Sequence, residues 1–229
     1  MSCSLGDSRP WQSLENVKVV VIPSGSWEQH GPSLPLYTDT LIACRVAEEL
    51  ARKLDAVLLP PLAYGVSHEH MDFPLTVTLS PETYCRVITE VLESLEKHGV
   101  KLAVIVNGHG GNRAALEACV ARWNYTRRLK ALALWPWRAV EELLEDEVHA
   151  GRGEASLVAY LQGGEYKGEG RLCHPLYPLR RTSECSETGS IYPGLWESDR
   201  ELGERLFKAM VEAVLEETLR AGRALGVLD

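Results

Sequence analysis

Residues 17–40, VKVVVIPSGSWEQHGPSLPLYTDT, join an apolar run to a helix-like segment through a loop that carries Glu28, His30 and, at its far end, Asp39. The run 17–23 is apolar almost continuously rather than in alternation, as a strand covered on both faces should be. In an extended loop Glu28 and His30 point the same way, because side chains repeat with period two. Gly25 and Gly31 let the backbone turn on either side, and Pro32 and Pro35 stiffen the approach to the helix. A carboxylate, an imidazole and a second carboxylate in one loop can hold a divalent metal. Asp39 also stands where a helix begins, so it can cap that helix as well as bind an ion.

The same pattern continues outward. Further candidate strands are 56–60, 101–106 and 131–135, and candidate helices are 39–54, 81–98, 112–129, 136–146 and 198–224. The second helix is framed by Ser80 as N-cap, Pro81 at the first helical position and Gly99 just past its end. Helices alternating with buried strands predict an α/β fold with a mainly parallel sheet, and residues 1–229 read as one domain. The stretch 163–194, rich in Gly, Pro, Ser and Arg, reads as a long surface excursion near the active site or an oligomer contact.

Three more segments carry chemistry. NGHGGN, residues 107–112, comes directly after the strand at 101–106 and offers His109, with Gly110 and Gly111 permitting close backbone approach to a substrate at a helix N-terminus. Ligands of open α/β sheets bind beyond the carboxyl ends of the strands, so this loop and the Glu28–His30 loop share one edge. HAGRGEAS, residues 149–156, offers His149 as an acid or base and Glu154 as a ligand, if the chain turns at its glycines. YGVSHEHMDFPLTVTLS, residues 64–80, fits neither a helix nor a central strand; it is expected to line the cleft, with His70 touching substrate.

Bulk properties narrow the function. The net charge of −8 argues against nucleic acid, and 45% hydrophobic with 24% charged residues is an ordinary globular balance. No apolar run approaches membrane-spanning length and the first sixteen residues lack a signal-peptide core, so no membrane partner and a cytoplasmic location are expected. The cysteines form no CxxC pair. Cys44, Cys85 and Cys119 read as small buried hydrophobes, whereas Cys173 and Cys185 bracket a loop and could pair. Scarce Asn and Gln suggest a thermophile.

In their order and spacing, SGSWEQHGPSLPLYTD, YGVSHEH with its succeeding FP, NGHGGN and HAGRGEAS resemble the creatininase (creatinine amidohydrolase) family, from about Val19 to Ser156. The resemblance implies a three-layer α/β sandwich, two divalent metal ions per subunit (Zn, Fe or Mn), a small-molecule substrate and a homo-oligomer, with a hexamer favoured. It makes Glu28, His30, Asp39 and His109 metal ligands, with Asp39 the bridge. Creatininase itself has a ligand glutamate two residues after the histidine matching His109; here Gly111 stands there, and Glu154 is expected to replace it. Arg152, where many relatives are acidic, is expected to bind an anionic group of the substrate.

The expected activity is hydrolysis of a non-peptide C–N bond, in a formamide or cyclic amide, by a metal-activated hydroxide, with His149 as proton donor. Deformylation of a formamidopyrimidine nucleotide is the favoured instance. Creatinine-type hydrolysis and a small-peptide metallopeptidase of the mycofactocin-precursor type are the alternatives, and a metal-stapled structural subunit is the non-enzymatic rival.

Overall fold

The computed structural model describes residues 6–144, 148–172 and 181–229. Four parallel strands form the main sheet: β1 (Val19–Ser24), β2 (Val57–Leu58), β3 (Leu102–Asn107) and β4 (Lys130–Leu134), in the order β2-β1-β3-β4. The continuous apolar runs are explained by the layers on each side. Val19 and Val21 of β1, with Leu102, Val104 and Val106 of β3, face a core shared with α1 (Thr38–Leu54), α4 (Arg152–Gln162) and α6 (Arg200–Ala224). Val20 and Ile22, with Ala103 and Ile105, face the opposite core, closed by α2 (Pro81–Lys97) and α3 (Arg113–Thr126). Helix, sheet and helix therefore make three layers, as expected from the sequence. Each fully buried Leu or Ile in these layers contributes about 1.5–3 kcal/mol.

α2 begins as its sequence dictates: the Ser80 hydroxyl accepts the Thr83 N–H at 3.2 Å and Pro81 opens the helix. α6 is capped by Asp199, whose Oδ1 accepts from Glu201 and Leu202 N–H groups. At the start of α1 the Glu28 loop lies so close that a Cβ on Gly25 would sit 2.4 Å from Cα of Thr40. That contact requires glycine.

Three expectations need correction. The helix expected over 136–146 is replaced by two single 3₁₀ turns, Pro136–Ala139 and Glu141–Leu143, closed by i→i+3 bonds; residues 145–147 lie outside the described residues. Trp137 and Val140 anchor these turns in the core, which draws the chain inward instead of along a helix axis. Cys44 is buried but disulfide-bonded, as is Cys185; Cys173, the partner suggested for Cys185, lies outside the described residues. Cys85 and Cys119 are free thiols, of which Cys119 is buried and Cys85 half-buried. Within the excursion, β5 (Lys167–Gly170) pairs antiparallel with β6 (Gly194–Glu197), and α5 (Thr182–Cys185) lies between them in the chain. This small sheet has almost no apolar pattern, so periodicity could not signal it. No helix among the described residues is long and apolar enough to cross a membrane.

Candidate metal centre

Register brings the site together. Ser24 faces Asn107 across β1 and β3, so the loops that carry Glu28–His30 and His109 leave the sheet side by side. The asparagines of NGHGGN then tie neighbouring loops to one another. Asn112 accepts the Val66 N–H at 2.8 Å and donates to the Gly25 carbonyl at 3.0 Å, while Asn107 donates to the His109 carbonyl at 2.8 Å. The Glu28 loop, the 65–70 segment and the His109 loop are thereby fixed around one buried cluster.

Asp39, in the first turn of α1, is its centre. Its Oδ1 lies 3.1 Å from Nε2 of His30, its Oδ2 lies 2.9 Å from Nδ1 of His109, and Oδ2 also accepts from the Ser26 hydroxyl at 2.8 Å. The far nitrogens of both rings are bound to main chain: His30 Nδ1–H donates to the Glu28 carbonyl at 3.0 Å and His109 Nε2–H to the Val66 carbonyl at 2.8 Å. These bonds aim the inner nitrogens, Nε2 of His30 and Nδ1 of His109, at the cluster, as ligating histidines require. Glu28 has both oxygens buried, 3.3 Å from Nε2 of His109 and 3.4 Å from Nε2 of His70, and neither contact is a well-formed hydrogen bond. Such a carboxylate fits a cation.

Three sets of ligand atoms come within 4.8 Å of one another: Glu28, Asp39 and His109; His30, Asp39 and Glu154; and Glu28, His30 and His149. All five residues expected as ligands are therefore in one cluster, with Asp39 common to the first two sets. Glu154 enters from the first turn of α4, where its Oε2 accepts the Ala150 N–H at 2.6 Å. Charges reflect this packing. Burial opposes protonation of His30 and His109, but the neighbouring carboxylates, Asp39 for the first and Glu28 then Asp39 for the second, outweigh it and raise both rings to about 10. Burial pushes the Glu28 carboxyl up to about 7.

His149 and His70 form the adjoining wall. Gln29, which sequence reading did not single out, joins them: its side-chain amide donates to Nδ1 of His70 at 2.8 Å, and its main-chain carbonyl accepts Nε2–H of His149 at 2.9 Å. Burial, reinforced by the His30 imidazole, pushes His149 down to about 3. That environment favours the neutral ring. The excursion returns here, since His149 and Ile191 exchange backbone hydrogen bonds.

A cavity of about 400 Å³ opens over the cluster. Gly110, Gly111 and His70 line it as expected, and so does Glu69 of the 64–80 segment; Arg113 and Trp135 line it as well and were not expected. Arg113 lies over the Trp135 ring at 5.0 Å. Arg152 is elsewhere: its guanidinium pairs with Asp199 at 3.1 Å, away from the cavity lining. The reason is helical phase, since residues two apart on α4 differ by about 200° and Glu154 takes the inward direction. In this arrangement Arg152 partners the α6 cap and does not line the cavity.

A family model for creatininase, creatinine amidohydrolase, matches residues 9–218. This chain belongs to the creatininase family. It is 36% identical over 193 residues to the mycofactocin precursor peptide peptidase of Mycolicibacterium smegmatis, covering 82% of this chain and 75% of that protein. It is 31% identical over 227 residues to the 2-amino-5-formylamino-6-ribosylaminopyrimidin-4(3H)-one 5'-monophosphate deformylase of Methanothermobacter marburgensis, covering 87% and 89%. A solved structure of creatininase with Mn superposes with a TM-score of 0.78 at 20% identity, covering 93% of this chain and 96% of that one. The chain is thus a creatininase-family amidohydrolase with the fold of the solved creatininases.

Proposed function

We propose that this chain cleaves the C–N bond of a small non-peptide amide, a formamide or a cyclic amide, at a two-metal centre. The observation that carries the reading is the placement of Asp39, with one oxygen toward His30 and the other toward His109. A carboxylate so placed suits a bridge between two ions. Glu28, Asp39 and His109 would hold one ion, and His30, Asp39 and Glu154 the other. Carboxylate and imidazole donors suit Zn²⁺, Mn²⁺ or Fe²⁺. When bound, the pair would supply Lewis acidity and a water acidified toward neutral pH.

The chain's own residues do the rest. The main-chain acceptors of His30 and His109 hold the ligand rings in one orientation. His149, bonded to Gln29, shapes the wall beside the reacting amide and keeps bulk water out. Trp135 and Trp137 offer flat apolar surface for a ring or acyl group. Formamidopyrimidine nucleotide deformylation is our favoured instance, supported by the resemblance to the archaeal deformylase over most of both chains.

A second reading, cleavage of a small peptide, is favoured by the 36% identity to the mycofactocin precursor peptide peptidase. The two separate in one assay, in which protein loaded with Mn²⁺ or Zn²⁺ is offered the formamidopyrimidine nucleotide, creatinine and the precursor peptide. We expect formate release from the first. Cleavage of the peptide alone would overturn the non-peptide reading.

A further inference from the structure

We infer that Glu69 is a substrate-contacting residue of this site, its carboxylate accepting a hydrogen bond from an N–H on the nitrogen side of the scissile amide. The inference rests on the amidohydrolase reading above. Glu69 lies in the short turn His68–His70 and lines the cavity together with Gly111 and His109. Its Oε2 is buried with no hydrogen-bond partner among the described residues. A buried acceptor left without a donor is unfavourable unless an occupant of the cavity supplies one.

The neighbouring backbone is shaped to present that carboxylate. A Cβ on Gly111 would lie 2.1 Å from the Val66 carbonyl oxygen, 2.5 Å from Nε2 of His109 and 3.0 Å from Oε1 of Glu69. No side chain fits there, so the glutamate and the imidazole approach each other across a bare Cα. The carboxylate at this point of the cavity comes from the 65–70 segment. Glu69 belongs to none of the three donor sets, although its charge acts on His109. Its charge decides which end of an amide it faces. A carboxylate repels the oxyanion that develops on the carbonyl oxygen and attracts the N–H of the departing nitrogen.

The test compares metal-loaded wild type, Glu69→Met and Glu69→Gln by elemental analysis, by calorimetric binding of benzamidine, and by hydrolysis of formanilide and N-methylformanilide. We expect unchanged metal content in both variants. In Glu69→Met the benzamidine Kd should rise about ten- to hundredfold, the range for a lost hydrogen bond to a charged group. Its KM for formanilide should rise more than its kcat falls, and the wild-type preference for formanilide over the N-methyl compound should vanish. Glu69→Gln, which keeps an acceptor oxygen and the same shape, should fall between. Loss of metal from either folded variant would make Glu69 part of the metal cluster and overturn the inference. So would unchanged benzamidine binding together with an undiminished preference for the N–H substrate. If wild type hydrolyses neither amide while benzamidine binding still depends on Glu69, the non-peptide amide reading fails and N–H recognition by Glu69 stands.

Discussion

Trp137 donates its indole N–H to the carbonyl of Gly108 at 2.8 Å, one residue before His109, a proposed metal ligand. The tryptophan is buried in the core that packs against α1 and α6. The bond therefore couples core packing to the position of the His109 loop. Trp137→Phe should cost about 1–3 kcal/mol by leaving a buried carbonyl unpaired. For a chain of this size that lowers Tm by about 2–4 °C per kcal/mol. Metal affinity should fall about 10–100-fold, the usual effect of disturbing an outer-shell contact. Differential scanning calorimetry and a metal titration check both, and an unchanged affinity would detach Trp137 from the site.

Asp39→Asn should remove metal from both donor sets, because Asp39 is common to them. Turnover should fall by more than about 100-fold, beyond the upper end for an outer-shell residue. Glu154→Gln should empty the His30 side alone. Elemental analysis decides: full loading of the Asp39 variant would end the bridging assignment.

Chelation should destabilise the protein, since an ion that binds only the folded chain stabilises it by mass action. At a free metal concentration of about 100 Kd that contribution is about 2.7 kcal/mol. Tm should fall on adding EDTA and recover with Mn²⁺ or Zn²⁺. A Tm indifferent to chelator would count against a metal centre.

Gly111→Ala should cost about 2–4 kcal/mol through overpacking against backbone. The added Cβ would lie 2.1 Å from the Val66 carbonyl oxygen, which cannot swing aside as a flexible side chain would. Chemical denaturation measures the loss, and a wild-type midpoint would refute the contact.

Arg152→Ala should leave KM for a phosphorylated formamide unchanged and cost no more than about 1 kcal/mol, because its pair with Asp199 is half-exposed. A raised KM with an intact kcat would restore Arg152 as an anion contact.

The residues that were legible in the sequence and those that were not have a common explanation. Glu28, His30 and His109 were legible because each comes after a buried apolar run, and parallel strands deliver the ends of such runs to one edge. Glu154 was legible from its motif, but Arg152 two residues earlier turns to Asp199 instead of the cavity, because helical phase separates them. Glu69 and Gln29 stand in or beside the same motifs, yet their roles depend on which loop lies across from them. That is a tertiary fact: no local pattern shows that Gly111 is bare because Val66 presses against it. The single helix expected over 136–146 failed for a similar reason, since Trp137 and Val140 obey core geometry more than helical period.

α1, which carries Asp39, and α4, which carries Glu154, belong to one core; α3, which begins just after His109, belongs to the other. An ion held by Asp39 and His109 would therefore act as a rivet through the sheet, tying together the two layers it separates. Loosening either layer would break the same coordination, so the layers should lose their independence when metal is bound. In hydrogen-exchange terms, amides of α1 and α3 should open as a single unit in the loaded protein and as two units, at different rates, once the metal is stripped.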